Sequence, residues 1–255
     1  MRFVPAVFVV LTALAAKAAD VSVLDERSLG GHNRYDRCLE LTRRDPQAAL
    51  TAATAWQGSG GDGGAAHCAA MALIALKRFS EAAARLDQLG HENVGGAAER
   101  ATLFDQAGNA WLLAHRGGDA TTSFSSALAL SPRDSDLLAD RARAAAMLGD
   151  WKAADSDLSA ALARDANRAD LLVLRASARH ALGHKGEARA DLESALRIVP
   201  DYPEALVERG TLKLEAGDTN GARADWQAAV SRAPGSAAAA AAQQRLSALT
   251  PPKPK

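Results

Sequence analysis

One motif returns four times at a spacing of 34 residues between Ala101 and Ser236, and that period constrains the fold more than any other feature. Ala142, Gly149, Ala154, Leu158 and Ala161 form one copy. Moving on by 34 gives Ala176, Gly183, Ala188, Leu192 and Ala195, and by 34 again Gly210, Gly217, Ala222, Trp226 and Ala229. Moving back by 34 gives Gly108, His115, Ala120, Phe124 and Ala127, so only the Gly149 slot departs. Pro132, Pro200 and Pro234 share a slot near the end of three copies, and Ala166 holds it in the other. A fixed period of this length marks a helical solenoid of stacked units, not a single globular core.

The pattern resembles the tetratricopeptide repeat (TPR) family, which builds each unit from two antiparallel helices. The resemblance implies an all-α fold, a right-handed α-solenoid of antiparallel helix pairs with a C-terminal capping helix. The small slots are where paired helices touch, since backbones approach closely only over a hydrogen or a methyl. The mid-repeat Gly suits the reversal between helices, where a positive φ is easiest without a Cβ. The late Pro ends the second helix, because it cannot donate to the backbone ladder. Four repeats are expected over 97–236, a capping helix over 237–250 and a disordered, slightly basic tail over 251–255.

Composition agrees. Hydrophobic residues make up 48% of the chain but aromatics only 4%, with Ala supplying much of the difference. Such a chain suits closely packed helices. The formal net charge of +0 argues against nucleic-acid binding by bulk electrostatics.

Residues 1–18 read as a secretory signal peptide: Arg2, an apolar run from Phe3 to Ala16, then Ala16-Lys17-Ala18. The run is too short to cross about 30 Å of hydrocarbon as a helix, so no stable membrane insertion is expected after cleavage. The expectation is an exported protein, periplasmic or secreted, whose cleaved form carries a net charge near −2. A mobile lead-in is expected over 19–32, and degenerate helical repeats over 33–95. The Gly-rich stretch Gly58 to Gly64 lacks the Lys-Ser/Thr ending of a phosphate-binding loop and follows no strand, so it reads as a linker.

No constellation points to catalysis. His180 and His184 stand four apart, but His184 falls in the turn between helices, where Asp150 and Asp218 are its equivalents. No G-x-S-x-G, H-E-x-x-H or C-x-x-C is present. The chain is read as a non-enzyme with no cofactor and no metal.

In the TPR family the first helix of each pair lines a concave groove that holds a peptide or helix of another protein. Carried onto this sequence, the groove slots are Asp105, Asn109, Leu112, Leu113, Asp136, Arg143 and Met147, then Asp170, Ser177, His180, Glu204, Thr211, Leu214 and Glu215. Asp105 stands where a Lys would be wanted for the basic clamp of some chaperone-binding members, which argues against a carboxylate-terminal ligand. The resemblance thus implies a periplasmic scaffold or adaptor for another protein; the alternative is an accessory subunit that positions an enzyme of cell-wall or polysaccharide assembly.

Two structural expectations complete the reading. Cys38 and Cys68 are the only cysteines, each on the first helix of a degenerate pair, and export would favour a disulfide between them. Arg141, Arg175 and Arg209 share one slot, and Asp157, Asp191 and Asp225 another. The earliest copy has Ala107 and Ser123 there and so lacks both partners together. The expected pairing runs between repeats, Asp157 to Arg175 and Asp191 to Arg209, with Arg141 to Asp157 inside one repeat as the alternative.

Overall fold

A computed structural model describes residues 32–61, 63–92 and 95–249. The expected signal peptide, all of the lead-in but His32, and the tail lie outside the described residues. Among the described residues there are thirteen α-helices and no strand, and the chain divides into two compact units at 161/162. None of these helices is long and apolar enough to cross a membrane.

In the first unit α1 (His32–Arg44) precedes α2 (Pro46–Gly58), α3 (Gly63–Ala75) precedes α4 (Phe79–His91), and α5 (Ala97–Leu113) precedes α6 (Gly117–Leu130). Then come α7 (Ser135–Met147) and α8 (Trp151–Leu162), which closes at the division. In the second unit α9 (Ala169–Ala181) packs on α10 (Lys185–Ile198), α11 (Pro203–Glu215) on α12 (Thr219–Arg232), and α13 (Ala237–Ala248) covers α11 and α12. Several helices start where the sequence provides a side-chain cap. Asp45 accepts from the Ala48 N–H at 3.0 Å with Pro46 next, and Asp134, Asp218 and Ser236 cap α7, α12 and α13.

Turns between paired helices fall at the mid-repeat slot. Gly149, Gly183 and Gly217 take φ of 76°, 83° and 86°. The non-glycine occupants follow them: His115 sits at 57°, and Lys77 does the same between α3 and α4 at 60°. A left-handed residue with a Cβ is strained by roughly 1–2 kcal/mol, partly offset by the greater freedom glycine has when unfolded. His115→Gly is therefore expected to raise stability by about 0.5–1 kcal/mol in urea unfolding. A loss would mean that the His115 side chain makes a contact outweighing its backbone strain.

The seams show why the small slot varies. A Cβ built on Gly108 would stand 2.6 Å from the Phe124 ring, and one on Gly210 would stand 2.5 Å from the Trp226 indole. Where the second helix instead offers Leu158 or Leu192, the first helix carries Ala142 or Ala176, all almost fully buried. Glycine thus accompanies an aromatic partner and alanine a leucine, keeping the seam filled. Gly210→Ala is expected to destabilise by about 1–3 kcal/mol, net of the helix propensity it gains. Adding Trp226→Leu should recover part of that loss in a double-mutant cycle, and strict additivity would argue against the coupling.

The Arg–Asp slots pair inside each repeat, and in the second unit Asp191 is gripped by Arg175, while Arg209 of the next repeat grips Asp225. Arg141 grips Asp157 through Nε and Nη2, both at 2.8 Å; Arg175 grips Asp191 at 2.9 and 2.7 Å, and Arg209 grips Asp225 at 2.8 and 2.8 Å. The first-helix arginine and second-helix aspartate face one seam, so both carboxylate oxygens are taken up within the hairpin. Arg179 adds a third bond to Asp191 at 2.9 Å, and Lys213 one to Asp225 at 2.9 Å. In Asp225 burial pushes the carboxyl up, but Arg209 and Lys213 outweigh it and hold the carboxyl below its usual range. The copy lacking the pair is linked differently: Ser123 Oγ and Trp111 Nε1 both donate to Asp87 of α4 at 2.7 Å, reaching into the preceding hairpin.

At the N-terminal end Cys38 of α1 and Cys68 of α3 form a disulfide with Cα atoms 6.2 Å apart. Beside it the fully buried His67 accepts from the Tyr35 hydroxyl at Nδ1 (2.7 Å) and donates from Nε2 to Gln106 Oε1 of α5 (2.7 Å). Burial depresses its pKa, against a smaller upward pull from Gln106. The unfolded chain therefore takes up this proton first, near pH 6.5, and the stability that neutral His67 provides is lost as pH falls below that value. Melting of the protein between pH 8 and 5 should show this decline, and His67→Gln should flatten it.

Candidate partner-binding face

First helices of successive pairs touch one another, α1 on α3 and α5 on α7 in the first unit, α9 on α11 and α11 on α13 in the second. Among the described residues the second helices α2 and α4, α4 and α6, and α10 and α12 make no comparable contact. The first helices therefore line the tighter side of each stack, and their outward stripe forms its inner face.

In the first unit Asp105, Asn109, Leu113, Asp136, Arg143 and Met147 are partly exposed on these helices. Asn109 Nδ2 donates to both Asp105 O and Asp105 Oδ1 at 3.0 Å, and Arg143 is ion-paired with Asp140. Leu112 departs from the expectation: it is 2% exposed and belongs to the core. Helix α5 is packed by α4, α6 and α7, and an apolar side chain in this slot is enclosed among them.

In the second unit Asp170, Ser177, His180, Glu204, Thr211 and Leu214 are likewise partly exposed. Several have their polar groups engaged. Arg168 Nη2 holds Asp170 at 2.8 Å, while Ser177 and Thr211 donate to Val173 O and Val207 O of their own helices. His180 Nε2 meets Glu215 Oε1 at 3.0 Å, and Lys185 Nζ reaches the other oxygen at 2.6 Å. Burial raises the Glu215 carboxyl, yet Lys185 and His180 together bring it below its usual range. His184 lies in the turn before α10, and among the described residues no three His, Cys, Asp or Glu side chains gather to hold a metal.

Sequence reasoning missed Glu208 and Arg245 on this face, and Lys185, which reaches Glu215 from the start of α10. Glu208 could have been found from Glu204, four residues before it on the same helix stripe. The repeat slot hid it, because Asp140 and Leu174 are its equivalents and share no chemistry.

No protein-family model matches the chain, and no curated protein matches it either. Solved structures do match. A TPR protein from Parabacteroides merdae is similar at TM-score 0.59 and 19% identity, covering 84% of this chain and 83% of that one. Residues 41 to the end of MamA from Desulfovibrio magneticus RS-1 also give 0.59, at 16% identity over 67% of this chain and 94% of that one. YrrB, described as a TPR protein with an unusual peptide-binding site, gives 0.55 at 19% identity over 77% and 98%. With paired helices, 34-residue seams and these neighbours in agreement, the chain has the tetratricopeptide repeat fold.

Proposed function

We propose that this protein is a non-enzymatic scaffold, exported to the periplasm, that holds a peptide or helical segment of another protein against its first-helix face. The observation that carries the reading is the division of labour on those helices. Small residues and core leucines turn to the seams, while a polar, half-exposed stripe faces outward without contributing to the core. The peptide-binding site named for YrrB, a protein of like fold, supports the same use. The basic, apolar, A-x-A start of the chain supports export.

Affinity capture from the exported fraction tests it, with wild type compared against Asn109→Ala, Arg143→Ala and Met147→Ala combined. The triple variant should lose the captured partner while its stability changes by no more than about 1 kcal/mol, because these partly exposed side chains make only local contacts. A partner retained in full by the triple variant would overturn the assignment of the face.

A further inference from the structure

The disulfide at the N-terminal end presents one of its two cysteines to an open groove. Arg34, Arg37, Cys38 and Leu41 of α1 and Ala52 and Trp56 of α2 line a cavity of about 160 Å³. Cys38 is 7% exposed, whereas Cys68 on α3 is 0% exposed and packed with Ala53 and Ala69. A thiolate that attacks a disulfide bonds to one sulfur and expels the other. Which sulfur it can reach therefore decides which cysteine is capped and which is released.

The groove is also cationic. The Arg34 guanidinium lies over the Trp56 ring at 5.0 Å, and Arg34 and Arg37 are both exposed. Among the described residues no hydrogen bond or ion pair reaches Arg37. Asp36 and Glu40 share the helix but do not line the groove, and Glu40 is engaged by Arg44. Two guanidinium groups beside a reacting sulfur raise the local concentration of an anion and favour a thiolate there.

We propose that this groove is an entry site for thiol–disulfide exchange, in which a small anionic thiol attacks Cys38 Sγ. The new S–S bond forms between the incoming sulfur and Cys38, the Cys38–Cys68 bond breaks, and its electron pair leaves on Cys68 Sγ. Cys68 then takes up a proton equivalent to the one the incoming thiol lost on ionising, so one thiol is consumed and one is released. The product carries a mixed disulfide on α1 and a free thiol on α3, and the covalent tie between the two helices is gone.

The test treats the full chain, folded and oxidised, with 2-mercaptoethanesulfonate and separately with 2-mercaptoethanol, which lacks the sulfonate charge. Acid quenching and peptide mapping by mass spectrometry then locate the adduct. The mixed disulfide should lie on Cys38, with Cys68 as the free thiol. Its rate of formation should rise in proportion to thiol, and at equal thiolate concentration the sulfonate should react about threefold to tenfold faster. Arg34→Gln combined with Arg37→Gln should remove most of that advantage and leave the melting temperature nearly unchanged, because both side chains are exposed. A mixed disulfide on Cys68, or none on the folded chain, would overturn the inference. So would equal rates for the two thiols, or a rate independent of thiol concentration, which would mean attack only after global unfolding.

Discussion

Asp191→Ala is expected to lower stability by about 3–5 kcal/mol. Asp191 is 5% exposed and accepts three hydrogen bonds, two from Arg175 and one from Arg179. Removing the carboxylate leaves two guanidinium groups beside a closed seam with their main acceptor gone. Arg179 also meets Glu187, at 3.5 Å and mostly in solvent, a weaker acceptor than Asp191. Asp157→Ala should cost less, because its side chain is more exposed and Arg141 is its arginine partner. Replacing Asp191 and Arg175 together by Leu and Met should be milder than Asp191→Ala alone, since Arg179 alone, and not both guanidinium groups, then loses the carboxylate. Urea unfolding of the three variants decides it, and a loss under about 1 kcal/mol for Asp191→Ala would reduce the pair to an exposed one.

Reducing the disulfide should lower stability by about 3–4 kcal/mol, the chain-entropy value for a closed loop of about 30 residues. The bond ties α1 to α3, where the repeat consensus is weak and many of the buried residues are alanines. The Tyr35–His67–Gln106 relay remains after reduction, so the loss should appear first as faster hydrogen exchange in α1 and only later as global unfolding. Melting with and without reductant, and of Cys38→Ser with Cys68→Ser, should agree. Two titratable thiols in unreduced, denatured protein would sink the prediction.

Much of the fold was legible because the repeat couples sequence slots to geometry. The small slot and its aromatic or leucine partner recur together, so Gly108 with Phe124 and Gly210 with Trp226 announce a seam. The Arg and Asp slots announced a pair but not its direction. A constant period gives every repeat the same two slots, so it cannot distinguish a contact within a hairpin from one to the next. The expected groove slots fall on first helices, but their depth was not legible. Leu112, His180 and Leu214 share a slot, but only the side chain's own chemistry and the packing around α5 decide that Leu112 is buried. The His67 relay was invisible for a related reason: it does not recur, so the periodicity that revealed the rest passes over it.

Photo-crosslinking from defined faces to the captured partner tests the central claim most directly. Benzoylphenylalanine would be placed singly at Ser177 and Thr211 on first helices, and at Arg189 and Gln227, exposed on second helices. Crosslinks from Ser177 and Thr211 with none from Arg189 and Gln227 are predicted; crosslinks from Arg189 and Gln227 alone would contradict the account.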